Sequence, residues 1–167
     1  MNMRRCSIAF AALALAVGGW PTITCATQPV PSPADIVGKH YRMEPAYLVA
    51  VHVPSDDADK VLAAVVAAIG LEYGKYDHVA YLDAPGLEQY RPMAGSKAGE
   101  QAAPGRTTTT NVSFSIPRDT AVLQRAMDAI YGTHSHEEPV IYVSEVWRSR
   151  STGSDDDNPN RWWNHKQ

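Results

Sequence analysis

The sequence predicts one α+β domain of order βαββαβ, with two helices laid on one face of an antiparallel sheet. Three observations predict it. Four short stretches are β-branched, aromatic or strictly alternating; two others repeat apolar residues at helical spacing; and Gly or Pro stands at nearly every boundary between them. The order is that of a ferredoxin-like split βαβ sandwich, here with a long loop in its central hairpin.

The elements follow in turn. Tyr47 to Val53 is β-branched and aromatic and is stopped by Pro54, so it reads as a strand. Ser55 or Asp56 can cap the helix after it, whose apolar positions are Ala58, Val61, Leu62, Val65, Val66 and Ile69 and which Gly70 ends. His78 to Leu82 reads as a second strand. A Gly/Pro-rich stretch from Pro85 to Arg106 reads as a loop, and a loop of that length in a small domain usually has a function. Thr108 to Ile116 sets Val112, Phe114 and Ile116 against Asn111, Ser113 and Ser115, a strand with one wet face. Asp119 can cap a second helix carrying Val122, Leu123, Ala126, Met127 and Ile130 and ending at Gly132; Val140 to Val146 is the last strand. The sheet face without helices needs a cover, and a second subunit is a common one.

The ends of the chain differ from this middle. Arg4 and Arg5 precede an apolar run, Ile8 to Val17, too short for the roughly 20 residues that a membrane span takes. With small residues at Thr24-Cys25-Ala26, this predicts a secretory signal over 1–26 cut after Ala26, and a periplasmic or secreted protein. A buried N-terminal helix is the competing structural reading. Cleavage would remove both arginines and take the formal charge from −3 to −5. It would also remove both cysteines, Cys6 and Cys25, leaving a core without disulfides; the alternative is a lipoprotein anchored through Cys25. Residues 27–45, with four prolines, read as an extended linker, 46–148 as the domain, and 149–167 as a disordered tail. Trp162 and Trp163 in that tail are either a partner's docking spot or loosely held aromatics. The acidic charge excludes the basic face of a nucleic-acid binder, and no segment reads as a membrane span.

Two segments can carry chemistry. His134-Ser135-His136-Glu137-Glu138 offers two imidazoles and two carboxylates, donors suited to zinc or copper, and Asp77-His78 can complete the set. Asp77, His78, His134, His136 and Glu137 are therefore candidate metal ligands; solvated or capping groups are the alternative. The loop residues Tyr90, Arg91 and Lys97 are candidate ligand-binding residues for an anionic group, or merely solvated side chains on a mobile loop. His52 reads as a packed or edge histidine. No Gly-x-Ser-x-Gly elbow and no phosphate-binding loop are present, so no catalytic residue is assigned.

Gly74-Lys75-Tyr76-Asp77-His78, then Gln89-Tyr90-Arg91-Pro92-Met93-Ala94-Gly95-Ser96, then His134-Ser135-His136-Glu137-Glu138-Pro139 resemble, in order, three blocks of the small insertion domain of YqfO-type members of the Nif-three-like family. The resemblance covers roughly residues 47–146. It implies a PII/CutA-like fold, a homotrimer, and a small-ligand or divalent-metal role. Ser135 and His136 stand where the family has Pro and Tyr, and the larger two-metal domain of full-length relatives has no counterpart. The function expected is thus an exported binding or sensing module without catalytic activity. The alternatives are an adaptor that binds a protein through its loop and Trp tail, and a metal-assisted hydrolase at a subunit interface.

Overall fold

The computed structural model describes residues 32–153 and 158–165. The signal expected over 1–26 and the Cys25 lipidation site lie outside them. After a 3-10 turn at Pro33–Asp35 come β1 (Tyr41–Pro54), a 3-10 turn (Ser55–Asp57), α1 (Ala58–Ile69), β2 (Tyr81–Leu82), β3 (Gly86–Tyr90), β4 (Gly105–Pro117), α2 (Thr120–Thr133), β5 (Ile141–Ser151) and a 3-10 turn (Trp162–Asn164). The strands form one antiparallel sheet in the order β2-β4-β1-β5, with β3 also on β4. Among the described residues no helix is long and apolar enough to cross a membrane.

The core lies between this sheet and the two helices. Val49, Val51 and Val53 of β1 and Val112, Phe114 and Ile116 of β4 point to one side by the two-residue period of a strand. They meet Val61 and Val65 of α1 and Ala126 and Ile130 of α2, all buried. The opposite face of the sheet carries Leu48 and His52, Ser113 and Ser115, Tyr81 and Tyr142, and stays largely open.

Several boundaries differ from the sequence reading, each for a local reason. β1 starts at Tyr41, inside the stretch read as a linker, because Tyr41 to Pro45 pairs with Trp147 to Ser151 of β5. Pro45 is tolerated there because β4 ends opposite Ala46, so Pro45 has a neighbour strand on one side only. β5 accordingly runs to Ser151, into the segment read as tail. Ser55 and Asp56 do not cap α1: Asp57 is the N-cap, without a side-chain bond, and Ser55 Oγ bonds Thr110 Oγ1 at 3.0 Å instead. Gly70 does end α1, at φ 78°. Gly132 lies within α2, which ends at Thr133, where the hydroxyl donates back to Ala129 O at 2.7 Å.

The stretch read as a loop contains a strand, β3, with Leu87 as its only large aliphatic side chain. Between the pairs Leu82–Val112 and Gly86–Thr109, the three residues Asp83–Pro85 face two, Thr110 and Asn111. β2 and β3 are therefore one strand broken by a bulge.

Asp119 caps α2 as expected, accepting from the amides of Ala121 (2.7 Å) and Val122 (3.2 Å). Asp119→Ala is expected to lower stability by about 1 kcal/mol in urea unfolding, while Asp119→Ser keeps most of it.

Candidate functional site

The segment after α2 is shaped by His134. Its Nε2 lies 2.8 Å from the carbonyl oxygen of His52 on β1, and its Nδ1 lies 3.0 Å from the amide of His136. A carbonyl only accepts and an amide only donates, so the ring is neutral with its proton on Nε2. Both nitrogens are used. His134 therefore serves as a tie from the segment to the central strand, and as it stands it has no lone pair left for a metal.

The other members of the predicted metal set divide. Asp77 and His78 contact each other at 3.3 Å and are largely exposed, beside the turn in which Tyr73 and Tyr76 exchange backbone bonds around Gly74. Glu137 accepts a hydrogen bond from the amide of Lys97 at 3.0 Å. Among the described residues no three His, Cys, Asp or Glu side chains come together to hold a metal ion. The five predicted ligands do not form one centre within the chain, because His134 is committed to backbone partners and Glu137 to the loop.

What the fold does bring together is the ligand-binding set and the far half of the metal set. Tyr90, Arg91 and Lys97 line one cleft with His136, Glu137 and Glu138. The cleft measures about 940 Å³. One wall is the loop 91–98, which folds on itself through Ser96 N–H to Met93 O (3.1 Å), with Gln101 N–H to Pro92 O (3.1 Å) closing its base. Gly95, at φ 93°, gives it a bend that a side chain would strain. The other wall is 135–138, held by His134. The Glu137–Lys97 bond joins the two walls. Between them the Tyr90 and His136 rings stand 6.2 Å apart, tilted by 47°. Arg91 and Lys97 can meet an anionic group; Glu88, Glu138 and the His136 ring can meet a cationic one.

Glu88 was not anticipated, since it falls in the stretch read as loop. It lines this cleft and also a neighbouring hollow on the open sheet face with His52, Asn111 and Tyr142. There its carboxylate accepts from Thr109 Oγ1 at 3.3 Å and lies 3.7 Å from His52 Nδ1. His52, read as an edge histidine, also meets the Tyr142 ring edge to face at 5.8 Å.

Glu137→Ala is expected to free the loop without unfolding the domain. Hydrogen exchange at the Lys97 amide should quicken at least tenfold, while global stability changes by less than about 1 kcal/mol.

No family model matches the chain, and no curated protein matches it significantly. Among solved structures, a Bacillus cereus protein related to NIF3 superposes with a TM-score of 0.53 at 22% identity. The match covers 62% of this chain and 26% of that one, about a quarter of its length. It shows a shared fold. CutA1 from Oryza sativa matches with a TM-score of 0.44 at 13% identity, over 62% of this chain and 82% of that one. The periplasmic divalent cation tolerance protein CutA from Archaeoglobus fulgidus matches with 0.45 at 12%, over 60% and 83%.

Proposed function

We propose that this chain is an exported, non-catalytic binding or sensing module, related to the YqfO-type insertion domain, whose small ligand sits between the 91–98 loop and the 135–138 segment. The observation that supports this is the convergence of two blocks some 40 residues apart in sequence on one cleft, pinned by the Lys97–Glu137 bond. Its charges point to a small zwitterion: an anionic end toward Arg91 and Lys97, a cationic end toward Glu88, Glu138 and His136. Catalysis is not part of the reading. Of the serines lining the cleft, Ser96 turns its hydroxyl to the Ala98 amide at 3.1 Å, and neither serine hydroxyl bonds the imidazole. The open sheet face, with Tyr81 66% and Tyr142 59% exposed, is proposed as the contact between copies in a homotrimer, which sedimentation at micromolar concentration would detect.

The test is thermal unfolding of the mature protein with each free amino acid, and separately with zinc and copper chloride. A stabilising amino acid whose effect disappears in Arg91→Ala supports the zwitterion reading. Stabilisation by zinc or copper alone would replace it with a metal held by His136 and donors from a second copy. No shift with any of them overturns both.

A second reading rests on Trp162, 76% exposed in a 3-10 turn with Trp163, over whose ring Arg161 lies at 5.7 Å. It makes the tail a docking segment for a protein partner. A truncation testing it must come after Gly153, since Ser149 to Ser151 belong to β5.

A further inference from the structure

Away from the cleft, at the far end of the β1–β5 pair, the register gathers positive charge. Arg42 lies opposite Arg150, and Glu44 opposite Arg148. All four share one face of the sheet by the alternation of a strand. Arg148, only 8% exposed, donates from Nε and Nη2 to Glu44 Oε1, both at 2.8 Å, and from Nη1 to Ser115 O at 2.8 Å. Arg150 reaches the same Glu44 oxygen through Nε at 3.3 Å. Both guanidinium carbons stand 5.2 Å from the Tyr73 ring centroid, and the Tyr73 hydroxyl donates to Ser149 O.

One carboxylate therefore serves two guanidiniums, and Arg42 beside them has no ion-pair partner among the described residues. Like charges placed directly opposite each other across two strands destabilise the pairing. Nη1 of Arg150 is buried without any hydrogen bond, and so is Nδ1 of His40, just before β1. An N–H group withdrawn from water without an acceptor is costly, and in a chain of net charge −3 three guanidiniums around one carboxylate call for a local reason.

We infer that Arg42 and Arg150 form an oxyanion site, backed by the Arg148–Glu44 pair, that takes a phosphate or carboxylate group. The fork of a guanidinium accepts two oxygens of such a group in its plane. Arg42 is exposed and Arg150 keeps 23% of its side chain open, so the group approaches from the uncovered sheet face, and a small shift of Arg150 turns Nη1 toward it. The same chemistry has two sources: a free anion, or a carboxylate of a second copy docked on that face.

The test uses inorganic phosphate. At fixed ionic strength, the melting temperature of the wild type should rise saturably by roughly 5 °C as phosphate replaces chloride. Arg42→Gln, a surface change that leaves the Glu44 pairs in place, should abolish the rise, and Arg91→Ala in the cleft should retain it. If the carboxylate comes from a second copy, phosphate has no effect, but sedimentation shows Arg42→Gln dissociating an assembly that the wild type forms. Either result supports the site. A phosphate effect kept in Arg42→Gln, whatever Arg91→Ala does, or no phosphate effect together with an unchanged assembly, overturns it.

Discussion

Replacing His134 with Phe is expected to lower the stability of the domain by about 2–3 kcal/mol. The ring volume is kept, but the carbonyl of His52 and the amide of His136 lose their partners in a half-buried place, and each unsatisfied group costs about 1–3 kcal/mol at full burial. Two polar replacements separate the bonds. The Asn oxygen occupies the place of Nδ1 and keeps the acceptor for His136, whereas the Gln amide reaches the place of Nε2 and keeps the donor to His52. Each should recover roughly half of the loss. Urea unfolding of the three variants measures this. Equal stability of His134→Phe and wild type would show that the tie contributes nothing and that the cleft wall is held otherwise.

Ile130→Ala is expected to be costlier, about 2–5 kcal/mol, with a fall in melting temperature on the order of 10 °C. Ile130 is fully buried where α2 meets the sheet, and its carbonyl accepts from the amide of His134 at 2.8 Å. The cavity thus opens under the start of the cleft wall. Any effect on the cleft should appear only with the loss of global stability, so ligand-induced stabilisation measured well below the melting temperature should persist. A fall under about 1 kcal/mol would mean that the site collapses around the smaller side chain.

The two helices and the apolar strands were legible because their patterns are periodic: the helix-facing valines and Phe114 alternate, and Asp119 stands where a cap must. What was missed is where pairing, not pattern, makes a strand. Tyr41 to Pro45 has no apolar rhythm and two charges, yet β5 holds it. Gly86 to Tyr90 is a strand because β4 continues past it. The chemical segments were legible as residues, and the cleft unites Tyr90, Arg91 and Lys97 with His136 and Glu137. Their roles were not, since both nitrogens of His134 are committed to backbone groups that come into reach only once β1 and the segment after α2 are folded together. Arg148 and Arg150 drew no attention at the supposed edge of a tail, and only the register reveals the cluster around Glu44.

The bulge at Asp83–Pro85 has a consequence for how this protein tolerates change in length. With one residue fewer there, two residues would face two, and β2 would run unbroken into β3 with Gly86 still opposite Thr109 and Glu88 and Tyr90 still on the open face. With two fewer, Gly86 would fall opposite Thr110, and Leu87 and Gln89 would turn to the open face instead. Removing Ala84 alone would thus spare the lining of the cleft, whereas removing Pro85 as well would invert it without altering a single residue in it. A deletion between Ala102 and Pro104, where no strand carries a parity forward, would shorten the loop and leave that lining as it is. Among homologous chains, then, length should vary freely in the second stretch and by no more than the one bulged residue in the first.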